Sequence, residues 1–228
     1  MAIKSSTWAS RAAAVYHKDI VSEFRGRYAI NAIGLFAVTT LVAVSIAVGG
    51  FGVRDAKLLA ALLWIILFFS AMSGLARAFV REEEGRTAAA LRLSAEPTAI
   101  YLGKLFFNLS LLLAIEVLVI PLFIVLLNAK IGNWALFAPV LVIGSIGLSA
   151  ASTIVAAIVS KANAKGALFA VLSFPILAPL IVTAVSGSSA ALKGDSLASG
   201  LPYLRILVSY AGVMITASIM LFEFIWED

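Results

Sequence analysis

"FVREEEGRTAAALRLSAEPTAIYLGKL", Phe79 to Leu105, decides how the rest of the chain is read. Three consecutive glutamates, Glu82, Glu83 and Glu84, stand between Arg81 and Arg86; an alanine-rich stretch follows, then Pro97. The sequence on either side is long and apolar. A charge at the centre of a bilayer costs roughly 2.5–3.5 kcal/mol on insertion scales, so the apolar segment before the glutamates has to end near Val80. "RTAAALRL" favours a helix, because Ala, Leu and Arg are strong helix formers. Pro97 stops it, since the residue before a proline avoids the α region, and Pro97 itself suits the first turn of the next helix. The stretch reads as one short charged helix held at both ends by membrane spans. Lys104 is expected to snorkel toward headgroups at the start of the third span.

Composition supports the membrane reading. The chain has 228 residues, 62% hydrophobic and 13% charged, with a mean hydropathy of +1.07. A soluble domain is nearer half apolar and a quarter charged. The expected fold is an all-α integral membrane protein, with residues 1–228 forming one transmembrane domain. Six stretches reach the ~20 residues that a crossing requires. They are Ala29–Phe51, Leu58–Val80, Leu105–Leu127, Ala135–Val159, Gly166–Ser186 and Tyr203–Ile225. "GVRDAK" and "NAKIGNW" read as tight hairpins, and "GSSAALKGDSLASGLP" as a longer mobile loop. The first apolar run begins too far from the start for a secretory signal, so the chain is expected to be retained whole.

Orientation follows the basic residues. Twelve of the 17 fall on the side of the termini and the charged insert: Lys4, Arg11, Lys18, Arg25, Arg27, Arg77, Arg81, Arg86, Arg92, Lys104, Lys161 and Lys165. Arg54, Lys57, Lys130, Lys193 and Arg205 fall on the other. Both termini and the insert are therefore expected in the cytoplasm. Topology accounts for the net charge of +5 better than nucleic-acid binding does. Residues 7–28, ahead of the first span, repeat Trp8, Ala12, Tyr16, Ile20, Phe24 and Tyr28 every fourth position, with Arg11, Lys18 and Arg25 on another face. That pattern describes an amphipathic helix lying in the cytoplasmic interface, with a solvated helix as the plainer alternative.

The chemistry of the residues is sparse. There is no cysteine and one histidine, His17, which argues against thiolate, disulfide or haem-iron ligation by this chain alone. Met72, Met214 and Met220 read as packing residues. No G-x-x-x-x-G-K-[ST] loop cradles a phosphate, so ATP hydrolysis is expected from a separate subunit. No catalytic, cofactor-binding or metal-binding residue is assigned. Glu116 is the intramembrane candidate; it lies 12 residues past Lys104, about 18 Å along a helix. Such acids are functional candidates by default, and helix-to-helix glue is the competing reading. Pro175 and Pro179 mark a helix kink or hinge in the fifth span. Gly147 and Ala151, like Ser145 and Ser149, are spaced for close helix contact.

The opening stretch resembles the cytoplasmic connector of ABC-2-type transporter permeases, where an acidic-Gly element leads to a Leu-containing helix, a Pro and a Gly-Lys. The matching positions are Arg81, Glu82, Glu83, Glu84, Gly85, Leu91, Pro97, Gly103 and Lys104. Where such connectors read Gly-Thr-Leu-Glu, this chain has Gly85, Arg86, Thr87 and Ala88. "EVLVIPLF" and "FPILAPLIV" add a more specific similarity to the haem exporter protein B family, CcmB, of cytochrome c maturation. The resemblance implies a permease subunit of an ABC transporter complex in a bacterial inner membrane, which exports haem or uses ATP to release haem-loaded chaperone. It implies an ATPase of CcmA type, a haem-handling membrane protein of CcmC type, a small CcmD-type subunit, a periplasmic haem chaperone, and two permease copies or a permease pair. The connector then becomes the ATPase docking element, with Arg81, Glu82, Glu83, Glu84, Gly85, Arg86 and Leu91 as its residues. A permease for another substrate, and a proton-coupled secondary transporter working through Glu116, remain as alternatives. A membrane enzyme fits less well, because no Asp, His or Cys cluster accompanies the acids.

Overall fold

The computed structural model describes residues 7–48, 55–75, 77–160 and 165–227; the side chains of Tyr28, Arg77, Ala78, Arg81, residues 165–170 and Glu227 lie outside the description. The described residues are helical, in the order α1 Trp8–Gly26, α2 Tyr28–Val48, α3 Ala56–Leu75, α4 Arg77–Glu84, α5 Ala88–Ser94, α6 Pro97–Leu126, α7 Trp134–Ser160, α8 Lys165–Lys193 and α9 Leu197–Glu227. Among them, α2, α3, α6, α7, α8 and α9 supply six stretches long and apolar enough to cross a membrane. Half of the hairpin "GVRDAK", residues 52–54, lies outside the described residues. Its Asp55 carboxylate accepts the Lys57 N–H at 2.8 Å and so caps α3.

α7 is the central helix. It packs against α3, α4, α6, α8 and α9, and its apolar and small residues are buried along most of its length. Small residues permit that crowding. A Cβ on Gly147 would stand 2.8 Å from Leu180 and 3.2 Å from Tyr210, so the close contact expected of this segment is made by α8 and α9. One apolar core joins α2, α3, α6, α7, α8 and α9. A second lies at the end that holds α1, α4 and α5, where Val15, Phe79, Leu91, Tyr101, Ile154, Phe222 and Trp226 meet.

Three boundaries differ from the sequence reading. Helix is described up to Leu75 and again over Arg77–Glu84, with residue 76 outside the described residues. Within the second stretch Phe79 turns into an aromatic cluster, 5.3 Å from Phe222 and 5.6 Å from Trp226 between ring centres. The connector is two helices, α4 and α5, rather than one. Between them Arg86 adopts φ 52°, and the chain turn is closed by the Arg86 N–H on Glu83 O at 3.1 Å and the Thr87 N–H on Glu82 O at 2.9 Å. The third span starts at Pro97; its 30 residues make about 45 Å of helix, against ~30 Å of hydrocarbon.

The third difference is at the opposite end. "GSSAALKGDSLASGLP" is not a loop: α8 runs to Lys193 and α9 begins at Leu197. Burial overrides the weak helix propensity of Gly and Ser here. Ser188 is fully buried and accepts a hydrogen bond from Trp64 Nε1 at 2.9 Å. The remaining turn at Gly194 takes φ 88° and sits against the other hairpin, where the Asn133 N–H donates to Ala191 O at 2.9 Å and Asn133 Nδ2 to Asp195 O at 2.7 Å. A Cβ on Gly132 would lie 2.6 Å from the Gly194 backbone, so glycine is what lets the two turns touch.

Candidate functional site

α1 lies along the start of α6. Gly103 makes this possible, since a Cβ there would stand 2.7 Å from Val15 and 2.8 Å from the Ala12 carbonyl. The face of α1 turned inward is Ala12, Val15, Asp19 and Glu23. Of the expected stripe at every fourth residue, Ala12 is buried, Tyr16 and Ile20 are half-buried, and Trp8 and Phe24 are exposed. Two acids on the inner face are expensive without partners. Lys104, one residue past Gly103, meets this need; its Nζ lies 2.9 Å from Asp19 Oδ2. Glu23 Oε1 accepts the Ile30 N–H at 3.0 Å and caps α2 across the left-handed turn at Arg27.

Lys104 does not snorkel. It is 2% exposed, and its Nζ also lies 2.7 Å from Glu82 Oε1 on α4. Glu82 is buried too, and further accepts hydrogen bonds from Lys18 Nζ and Thr87 Oγ1. Burial favours the neutral acid, yet the Lys104 charge and the hydrogen bonds from Lys104, Lys18 and Thr87 outweigh it and hold the Glu82 carboxyl down to about 2. Partial burial opposes the charge on Lys18, but Glu82 and Asp19 prevail and raise its ammonium above the ordinary value. One network of Lys18, Asp19, Glu82 and Lys104 thus ties α1, α4 and α6 together. Beside it a cavity of about 870 Å³ opens, lined by Lys18, Glu23, Glu82, Glu84, Lys104 and Asn108 among others.

A second tie comes from α9. The Arg92 guanidinium of α5 lies over the Trp226 ring at 5.3 Å. Leu91, expected on the docking face, is buried in the core below the connector. Leu93 is 91% exposed instead. Of the expected docking residues, Glu82 faces inward, Glu83 is half-buried, Glu84, Gly85 and Arg86 are exposed, and the Arg81 side chain lies outside the described residues. The exposed residues of the connector therefore include Glu84, Gly85, Arg86 and Leu93.

Glu116 is not part of this assembly. It is buried on α6 and accepts a hydrogen bond from Ser145 of α7. Pro175 and Pro179 lie within one continuous α8, both turned outward. The Tyr210 hydroxyl donates to the Ile176 carbonyl between them at 2.7 Å. Sequence reasoning passed over Asp19, Glu23, Asn108 and Leu93. The one available signal was Asp19 and Glu23 sharing the Ala12–Val15 face of an amphipathic helix.

A family model described as CcmB protein matches residues 10–225, nearly the entire chain. The search of curated proteins returns no match.

Proposed function

Because the chain belongs to the CcmB family, a family of haem transport and cytochrome c biogenesis, we propose that it is the permease subunit of an ABC transporter complex that exports haem or drives release of haem-loaded chaperone. The chain is a multi-pass membrane protein, with six long apolar helices among the described residues. On this reading it sits in a bacterial inner membrane with both termini in the cytoplasm. α1 lies in the interface, and the exposed Trp8 and Phe24 rest among headgroups. ATP is hydrolysed by a separate CcmA-type subunit. CcmC-type and CcmD-type membrane proteins, a periplasmic chaperone and a second permease complete the assembly.

One observation carries the docking role. The connector is anchored from within by Glu82 on Lys104 and by Arg92 on Trp226, while Glu84, Arg86 and Leu93 remain exposed. An element held this way suits force transfer: a partner pushing on its outer face moves α1, α6 and α9 through buried charge and aromatic contacts. Haem is cargo in this scheme and needs no ligand from this chain.

The test is purification of the complex from native membrane, with haem and the ATPase quantified. Leu93→Asp and Glu84→Lys should each lower the recovered ATPase and the yield of mature cytochrome c. Undiminished ATPase recovery with both changes combined would sink the docking role.

A further inference from the structure

We propose that Glu116 is a proton-binding site inside the membrane, supplied from the connector-end cavity along the seam between α6 and α7. This goes beyond the permease assignment and does not depend on ATPase docking.

The seam has one register over two polar contacts. Asn108 Nδ2 donates to Thr153 Oγ1 at 2.8 Å, and Ser145 donates to Glu116. Eight residues forward on α6, from Asn108 to Glu116, match eight residues back on α7, from Thr153 to Ser145. Both intervals span about 12 Å at 1.5 Å per residue. Ser149 lies midway on α7, fully buried, and its Oγ has no hydrogen-bond partner among the described residues. The side chains of Thr153, Ser149 and Ser145 therefore recur one turn apart, about 6 Å along α7, with Thr153 Oγ1 donating to the Ser149 carbonyl at 2.6 Å; the proposed route places one ordered water in each gap.

The lower end of this file is open. Asn108 is 1% exposed yet lines the cavity, and its Oδ1 has no partner among the described residues. Water in the cavity thus reaches an amide whose other end is bonded to the first hydroxyl. Buried polar atoms without protein partners are where ordered water is held.

The upper end is a carboxyl with no cation beside it among the described residues. α6 packs against α1, α2, α3, α7 and α9. α7 has no ionisable residue, α2 has only Tyr28 and α3 only Lys57. α9 carries Tyr203, Arg205, Tyr210, Glu223 and Glu227, with the Tyr210 hydroxyl committed to Ile176 O. From α1, Arg11 meets Glu96 at the start of α6 at 3.3 Å, the Tyr16 hydroxyl pairs with Ser110 at 3.2 Å, and Asp19 meets Lys104, itself also held by Glu82. Helix glue alone would be served by Gln or Ser at lower cost. The proposed step is a proton transfer only: hydronium in the cavity gives up a proton, water remains, and an O–H bond forms on the Glu116 carboxylate.

The experiment uses the full chain alone in lipid nanodiscs and reads the infrared band of a protonated carboxyl after a pH jump. A pH-dependent band should appear and be absent in Glu116→Gln. Its rise should slow by about tenfold, equivalent to ~1.4 kcal/mol in the barrier, in Asn108→Leu and in the isosteric Thr153→Val. A Glu116 band that does not change with pH while the protein stays folded overturns the site. An unchanged rate in Thr153→Val overturns the route. Neither outcome touches ATPase docking, because no ATPase or haem is present.

Discussion

Lys104 Nζ stands 2.7 Å from Glu82 Oε1, joining the third span to the first helix of the connector across 22 residues of chain. The pair is buried on both sides. Its charges are not isolated, since Asp19 holds Lys104 from α1 and Lys18 holds Glu82. Desolvation makes such an arrangement a poor source of net stability and a strong source of geometric specificity. Of the connector conformations open to the chain, this one is selected because it leaves no buried charge alone.

An asymmetry between the two partners follows. Lys104→Met leaves Glu82 and Asp19 facing one another with only the half-exposed Lys18 between them, and should cost about 3–5 kcal/mol. Glu82→Gln should cost less, because Asp19 still accepts Lys104 at 2.9 Å. Adding Glu82→Leu to Lys104→Met should recover part of the loss. Thermal midpoints in detergent or nanodiscs measure all three; equal losses for Lys104→Met and Glu82→Gln would contradict the network.

The same network sets an acid limit. Glu82 is held at about 2 in the folded chain against an ordinary value of 4.5. A depressed folded value means that the stabilisation is complete above pH 4.5 and disappears as pH falls through about 2. The midpoint should therefore drop between these values, and drop less in Glu82→Gln. A midpoint of the variant that tracks the parent throughout this window would show that Glu82 does not carry the effect.

The spans and the place of the connector were readable because length, apolarity and Pro97 are local signals. The aim of Glu82 was not. Three glutamates in a row carry no mark of which one turns inward; Lys104 and Asp19 decide it, and both are distant in sequence. Leu91 and Leu93 pose the same problem, since two residues on a helix point to different faces and only the Phe222–Trp226 cluster tells which is covered. The end of α8 misled for a related reason. Its Gly and Ser content reads as loop, whereas Trp64 and the Gly132–Gly194 contact make it helix and tight turn.

That contact gives a third expectation. Gly132→Ala places a Cβ against backbone that cannot swing aside, and Gly194→Ala forces an L residue to φ 88°. A left-handed residue other than glycine costs roughly 1–2 kcal/mol. Both changes should lower the thermal midpoint without altering ATPase recovery, since the turns lie at the far end from the connector. Loss of the ATPase at an unchanged midpoint would show that this end communicates with docking.

The two connector leucines separate docking from folding. Leu91 is buried among the aromatic residues below α5, so Leu91→Ala should remove about 2–5 kcal/mol of stability. Leu93 is 91% exposed, so Leu93→Ala should leave the midpoint nearly unchanged. The docking role requires the opposite ranking in a pull-down normalised to folded protein. Leu93→Ala should release the ATPase, because an exposed apolar side chain on an element that also exposes Glu84 and Arg86 suits the apolar anchor of a protein interface. Leu91→Ala should retain the ATPase in whatever fraction stays folded. If Leu93→Ala keeps full ATPase recovery while Leu91→Ala loses it, the connector acts through its core alone and its outer face is not the contact.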